Sequence, residues 1–244
     1  MKKWLVGGLI SLLVLGCASV KNDQTNLEMG DELVVLAHGL ARSSFAMRDF
    51  ALQLEQAGYH VCVMDYSTVG QSVDSVLALT KQQIDSCVDN TNRIHFIGHS
   101  LGGLVIRAYL QSEPEIANST RFGEVVLMGT PNLGSEVADH FKNHMLMQWA
   151  GETSQSLMTG ENTLGAQLTT PDYRVGIIAG TNTNSATKAL FDGPNDGLVS
   201  VASAKLANMK DFIELDVSHS RMRSDSEVAN QAIHFLKTGR FAHQ

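Results

Sequence analysis

The chain has 244 residues, of which 43% are hydrophobic and 18% are charged, a balance typical of a globular protein. This length fits one α/β domain with a large buried core. The formal net charge of -7 disfavours a nucleic-acid-binding protein, because such proteins cluster Lys and Arg on one surface.

Residues 1–16 have the pattern of a signal peptide, with Lys2 and Lys3 before a short apolar stretch that is too short to span a bilayer comfortably. The stretch ends in Val14-Leu15-Gly16-Cys17, which resembles a bacterial lipobox. That resemblance implies that Cys17 is lipidated and becomes the new N-terminus. The alternative is ordinary cleavage after Ala18, which would release a periplasmic or secreted protein.

A lipidated Cys17 would place the protein in the cell envelope of a bacterium. The residue after the cysteine is Ala18, whereas an Asp there would favour retention in the inner membrane. The resemblance to Gram-negative lipoproteins therefore implies an outer-membrane lipoprotein. Residues 17–31 are polar and lack periodicity after the cysteine, which predicts a tether between a membrane and a domain over residues 32–240.

Short apolar segments alternate with helical patterns along residues 32–240. The predicted strands cover residues 32–37, 59–64, 93–97, 124–128, 173–179 and 212–217. Apolar helical faces recur over residues 47–54, 73–84, 101–110 and 228–235. This alternation predicts an α/β fold with a mostly parallel sheet and helices on both of its faces.

Residues 135–172 interrupt this alternation with a long, lid-like insertion. Their apolar patch consists of Met145, Leu146, Met147 and Trp149. Such a patch needs an apolar surface to cover, so one hypothesis is a lid over a substrate pocket. The other is a static loop above a small satellite core.

The segment Gly98-His99-Ser100-Leu101-Gly102 has the form G-x-S-x-G between a predicted strand and a predicted helix. A tight turn at this junction strains the serine backbone and raises its hydroxyl above the sheet, while the glycines avoid clashes with neighbouring elements. The context therefore predicts that Ser100 is a nucleophile.

A serine nucleophile needs a base, and the base needs a carboxylate that orients it. His219 directly follows the last predicted strand, at the sheet edge where active-site residues of open α/β sheets collect. We therefore expect His219 to be the base. For the acid, the turn at Asn195-Asp196-Gly197 favours Asp196, with Asp192 as the reserve.

Attack on an acyl carbon also needs two backbone amides that stabilise the oxyanion. Leu101, the residue after the nucleophile, is expected to supply one amide. The loop His38-Gly39-Leu40-Ala41 follows the first strand, and the amide of Leu40 is the expected second donor.

Cys62 and Cys87 remain once Cys17 is assigned to the anchor. A βαβ arrangement would bring both to one end of the sheet, and two cysteines outside the cytoplasm can pair. The sequence leaves a disulfide and two separate buried thiols as equal alternatives.

The ordered motifs resemble those of bacterial lipases and esterases of the α/β-hydrolase superfamily, in the group that contains triacylglycerol lipases and PGAP1-like hydrolases. The matching segments span residues 37–40, 98–103, 129–135, 195–200 and 218–219. The resemblance implies that the Asp of N-D-G is the acid, which supports Asp196. Some members hold calcium through an Asp two residues after the histidine, where this chain has Arg221, so we expect no metal.

Together these patterns predict a serine hydrolase without a cofactor that cleaves carboxylic, lipidic esters through an acyl-enzyme. The same residues would serve a thioesterase, a phospholipase or an acyltransferase. A lipoprotein that binds lipid without catalysis is the alternative from another class, although binding alone does not require the ordered catalytic set.

Overall fold

Six parallel strands form one sheet, in the order β2-β1-β3-β4-β5-β6, within the part of the chain that the computed structural model describes. The described residues are 32–88, 91–140, 152–161, 163–183 and 187–243. The strands are β1 (Glu32–Ala37), β2 (His60–Val63), β3 (Arg93–His99), β4 (Phe122–Met128), β5 (Val175–Gly180) and β6 (Asp211–Leu215).

In the described ranges, four longer helices cover the sheet: α1 (Arg48–Gln56), α2 (Val73–Val88), α3 (Leu101–Ser112) and the helix Ser226–Thr238. Short α-helical turns lie at Pro114–Ala117, Glu136–His140, Glu152–Gln155, Leu164–Gln167 and Val201–Ala204. Short 3₁₀ helices lie at Ser44–Met47, Lys188–Leu190 and Arg221–Arg223. Among the described residues, no helix combines the length and apolar composition that a membrane span requires.

The sheet separates two apolar cores. One core packs side chains such as Val76 and Ile84 of α2 and Leu104 of α3 against alternate residues of the central strands. The other packs α1 and the helix Ser226–Thr238 against the opposite face, with Phe50 and Phe235 completely buried. Because both faces are covered, the inner strands are apolar on both sides, as parallel strands usually are.

The predicted α/β-hydrolase fold, with its mostly parallel sheet and helices on both faces, is confirmed. Each predicted strand is present, although several limits differ by one or two residues because frayed strand ends leave little signal in an apolar pattern. The domain limits at 32 and 240 stay predictions.

Several expectations lie outside the described residues. These are the signal peptide at 1–16, the lipidated Cys17, the tether to residue 31, and the patch Met145, Leu146, Met147 and Trp149. Within the described part of the insertion, Leu157 and Leu164 are buried in the same core as α3.

Candidate active site

Ser100 lies in the sharp turn between β3 and α3. Its backbone angles are φ 58° and ψ -128°, a strained combination for a residue with a side chain. A Cβ on Gly98 would come within 2.5 Å of Gly103 Cα, so the tight approach of helix to strand requires glycine there. The turn therefore holds the Ser100 hydroxyl at the carboxyl end of the central strand β3, as the motif predicts.

His219 and Asp196 form a hydrogen-bonded pair on loops that follow β6 and β5. Nδ1 of His219 lies 2.7 Å from Oδ2 of Asp196, and both side chains are buried. A second bond runs from the amide of His219 to the carbonyl of Asp196, at 2.9 Å. Because a carboxylate accepts, the Nδ1 proton points to Asp196 and Nε2 is left as the acceptor nitrogen.

The position of Asp196 is set by its own turn. Its Oδ1 accepts the amides of Leu198 and Val199, at 2.9 and 2.8 Å. The other acid that the sequence left open, Asp192, is exposed in the loop after Lys188–Leu190. The structure thus brings Asp196, and not Asp192, to the imidazole of His219.

Two backbone amides border Ser100. Leu101 is the first residue of α3, and Leu40 lies on the loop after β1. This loop passes close to the serine, because a Cβ on Gly39 would lie 2.9 Å from Ser100 Cβ and 3.3 Å from its Oγ. Among the described residues, neither the Leu40 amide nor the Leu101 amide donates a hydrogen bond. Both are therefore available to an oxygen bound beside Ser100.

A cavity of about 370 Å³ opens beside Ser100 and His219. Its apolar wall combines residues from three loops and the insertion, namely Leu40, Pro131, Val137, Ala138, Leu157, Leu198 and Val199. The described part of the 135–172 insertion therefore forms one side of the cavity. Such a wall suits an apolar acyl group rather than a charged one.

Two buried histidines, His38 and His99, pack beside the site. His99 Nε2 lies 2.9 Å from the carbonyl oxygen of His219, and burial holds the pKa of His99 well below its usual range. His38 stacks on Tyr66 with ring centroids 4.0 Å apart, and burial likewise lowers the pKa of His38. Both imidazoles are therefore neutral near pH 7, and they fix the loops that carry His219 and Leu40.

A polar network behind the cavity was not foreseen from the sequence. Arg107 of α3 donates from Nη1 to Asn132 Oδ1 at 2.9 Å, and Asn132 donates to the carbonyl of Ala204 at 2.7 Å. Ser200 donates to Glu136 Oε1 at 2.6 Å. These bonds join the loop after β4 to the loop that carries Asp196. The sequence motifs at residues 129–135 and 195–200 include several of these residues, but they do not indicate which side chains bond to each other.

Arg42 and Arg223 also line the cavity, and the sequence gave no indication of either. They come from separate loops, after β1 and after β6, so no local motif links them. Among the described residues, no cluster of three or more His, Cys, Asp or Glu side chains could hold a metal ion.

Cys62 of β2 and Cys87 of α2 are joined by a disulfide, with their Cα atoms 6.3 Å apart. Of the two alternatives that the sequence left open, the structure has the paired one. The bond lies away from Ser100 and ties the edge strand to the helix that follows it.

Comparison with known proteins gives one family match. A family model described as palmitoyl protein thioesterase matches residues 33–173. Among curated proteins, methylesterase 8 of Arabidopsis thaliana is 26% identical over 152 residues, which cover 59% of this chain and 54% of the relative. The chain thus spans about half the length of that relative.

Solved structures share the fold at low identity. A lipase of Bacillus licheniformis in its mature form has a TM-score of 0.60 at 21% identity, over 84% of this chain and 90% of the lipase. The phospholipase PlaB from Legionella pneumophila has a TM-score of 0.63 at 15% identity, over 84% of this chain and 57% of the phospholipase. These similarities show a common α/β-hydrolase architecture.

Proposed function

The chain belongs to the palmitoyl protein thioesterase family, and from that premise we propose that it is a serine hydrolase that cleaves esters of apolar acyl groups through an acyl-enzyme. One observation carries the proposal: the strained Ser100 and His219, whose imidazole is hydrogen-bonded to Asp196, line the same apolar cavity. A non-catalytic lipid-binding protein would have no need of this combination.

The proposed reaction has two stages. Ser100 Oγ attacks the acyl carbon while its proton passes to Nε2 of His219, and the amides of Leu40 and Leu101 stabilise the oxyanion. The bond to the leaving group then breaks, and His219 protonates that group. Water next attacks the acyl-Ser100 ester, again giving a proton to His219, and the acid is released as Ser100 regains its proton.

Thioester hydrolysis is the second candidate, and the family match favours it specifically. The residues support both reactions, because the acyl-enzyme is the same and only the leaving atom differs. An oxygen ester and a thioester of one acyl chain, compared by kcat/KM, would separate the two.

The first test of the proposal is labelling of the nucleophile. A fluorophosphonate should modify the protein stoichiometrically at Ser100, and Ser100→Ala should lose several orders of magnitude in kcat, since the nucleophile cannot be replaced. Ser86→Ala, on the exposed side of α2, is the matched control and should leave labelling and turnover unchanged. Labelling at another residue, or turnover that survives in Ser100→Ala, would reject the proposal.

We also propose that the protein is anchored to a membrane through Cys17, as an outer-membrane lipoprotein. The support is the lipobox-like Val14-Leu15-Gly16-Cys17 after the basic and apolar stretch. Mass spectrometry of the mature N-terminus should find acyl chains on Cys17. An unmodified N-terminus at Ser19 would instead support a periplasmic or secreted protein.

A further inference from the structure

Two arginines mark the border between the proposed active site and a second cleft. Arg42 follows β1 and Arg223 ends the 3₁₀ helix Arg221–Arg223, which follows His219. Both line the cavity of Ser100, and both also line an adjoining cleft of about 510 Å³. Ser220 is the third residue that the two spaces share. The two spaces are therefore adjacent, with these three residues between them.

Neither guanidinium forms an ion pair with a described residue. Arg42 donates from Nη1 to the carbonyl of Ala41 at 3.0 Å, and Arg223 donates from Nη1 to the carbonyl of Ala46 at 3.2 Å. Nε of Arg223 is buried and has no hydrogen-bond partner. No carboxylate of a described residue lies within 4.0 Å of either guanidinium.

The two charges are close enough to affect each other. Burial lowers the pKa of Arg223 first, and the positive charge of Arg42 lowers it further. Keeping two cations together without a counter-ion is unfavourable, and a buried donor without a partner adds to that cost. An anion between the two arginines would reduce their repulsion and would accept a hydrogen bond from the unpartnered donor.

The adjoining cleft suits a polar, anionic group. Its polar lining consists of the two arginines, Ser43, Ser220, Ser224 and the acidic Asp49, and the rest is Ala41, Phe45 and Ala46. The cations therefore exceed the carboxylates there by one. The apolar wall that includes Val137, Ala138 and Leu157 lies on the other cavity and is not part of this cleft.

The apolar cavity and the cationic cleft suit different parts of an ester substrate. In the proposed reaction the acyl chain occupies the apolar cavity, and His219 protonates the leaving group. The cleft shares Ser220, the residue next to His219, with the cavity of Ser100, so a leaving group that His219 protonates would lie beside the cleft.

We propose that Arg42 and Arg223 form a phosphate-binding subsite for the leaving group, so that substrates with a phosphate on the alcohol or thiol are preferred. This inference rests on the proposed ester hydrolysis and adds the class of leaving group. Two guanidinium forks match the several oxygens of one phosphate, which a single arginine would hold less firmly. The phosphate could belong to a lipid headgroup or to a soluble carrier thiol.

The test uses two pairs of octanoyl substrates that differ in the phosphate-bearing part. One pair is octanoyl-coenzyme A and S-octanoyl-N-acetylcysteamine, and the other is 1-octanoylglycerol 3-phosphate and 1-octanoylglycerol. The measurement is the ratio of kcat/KM for the phosphorylated to the neutral member. It is made on the wild type, Arg42→Gln, Arg223→Gln and the control Arg221→Gln, whose exposed side chain lines neither space.

In at least one pair the wild-type ratio should exceed one and should fall about tenfold or more in Arg42→Gln and Arg223→Gln, as expected for loss of a charge-assisted hydrogen bond. Arg221→Gln should keep the wild-type ratio. The pair with the larger fall identifies the carrier thiol or the lipid headgroup as the source of the phosphate.

Ratios that do not change in either pair, or that fall equally in Arg221→Gln, would overturn the subsite. That outcome differs from failure of the proposed function, in which the wild type would cleave none of the four substrates and a fluorophosphonate would not label Ser100.

Discussion

Asp196 accepts four hydrogen bonds from described residues, and these fix its orientation against His219. Its Oδ1 is fixed by the amides of Leu198 and Val199, its Oδ2 faces His219 Nδ1, and its carbonyl accepts the His219 amide. Asp196 therefore holds His219 both at its ring and at its backbone amide. A carboxylate arranged in this way selects the tautomer whose Nε2 can accept the Ser100 proton.

Asp196→Asn should reduce kcat by about 10³- to 10⁴-fold, because an amide in place of the carboxylate favours the wrong imidazole tautomer. Asp192→Asn, which makes the same chemical change at an exposed position nearby, should stay within about threefold of the wild type. The measurement is steady-state turnover of a soluble octanoyl ester. A severe loss of kcat in Asp192→Asn, with a mild loss in Asp196→Asn, would identify Asp192 as the acid instead.

At the scale of elements, the junction of β3 and α3 depends on residues without side chains. An alanine at Gly98 would place its Cβ 2.5 Å from both Cα and N of Gly103, so strand and helix would have to separate. We expect Gly98→Ala to cost about 1–3 kcal/mol of unfolding free energy and to lower kcat as well, because Ser100 moves with the helix.

Gly193→Ala is the matched control for that substitution, since a Cβ there would meet no atom within 4 Å. Urea unfolding and turnover of both variants give the comparison. Equal stability of the two variants would show that the close approach at Gly98 is not required.

The disulfide between Cys62 and Cys87 connects β2, an edge strand, to α2 across a sequence separation of 25 residues. Closing a loop of this size restricts the unfolded chain, so Cys62→Ala/Cys87→Ala should lose about 3 kcal/mol of unfolding free energy. Urea unfolding with and without a reductant is the measurement. The wild type should be destabilised by the reductant and the double variant should not respond, whereas an insensitive wild type would argue against the bond.

For the whole molecule, local patterns predicted the elements but not their arrangement. Alternating strands and helices indicated a parallel sheet, yet the order β2-β1-β3 depends on crossover connections that no single segment encodes. Ser100 and His219 were predictable because a strained turn and a position after a strand leave local signals. Arg42 and Arg223 were not, because 181 positions separate them and only the fold brings them together.

Among the described residues, three buried imidazoles have a lowered pKa, and this makes the stability of the fold depend on pH. Burial lowers the pKa values of His38, His95 and His99, that of His95 to about 4. Between pH 6.5 and 4 the unfolded chain therefore binds protons that the folded chain does not, so the stability present above pH 6.5 is lost as the pH falls. Glu124, whose pKa burial raises, opposes this trend only where carboxylates begin to protonate.

The expected result is a loss of about 1.4 kcal/mol per pH unit for each histidine that stays neutral in the folded state. Urea unfolding at several pH values between 7.5 and 4.5 would measure it. In the wild type, Nδ1 of His95 accepts a hydrogen bond from the Glu124 amide at 3.0 Å, and His95→Asn keeps an acceptor for this amide. The variant should reduce the slope of stability against pH by the contribution of one histidine. His234→Asn, at an exposed position, should keep the wild-type slope. Equal slopes in all three proteins would mean that His95 is protonated within the fold, and that its burial beside Glu32 does not hold it neutral.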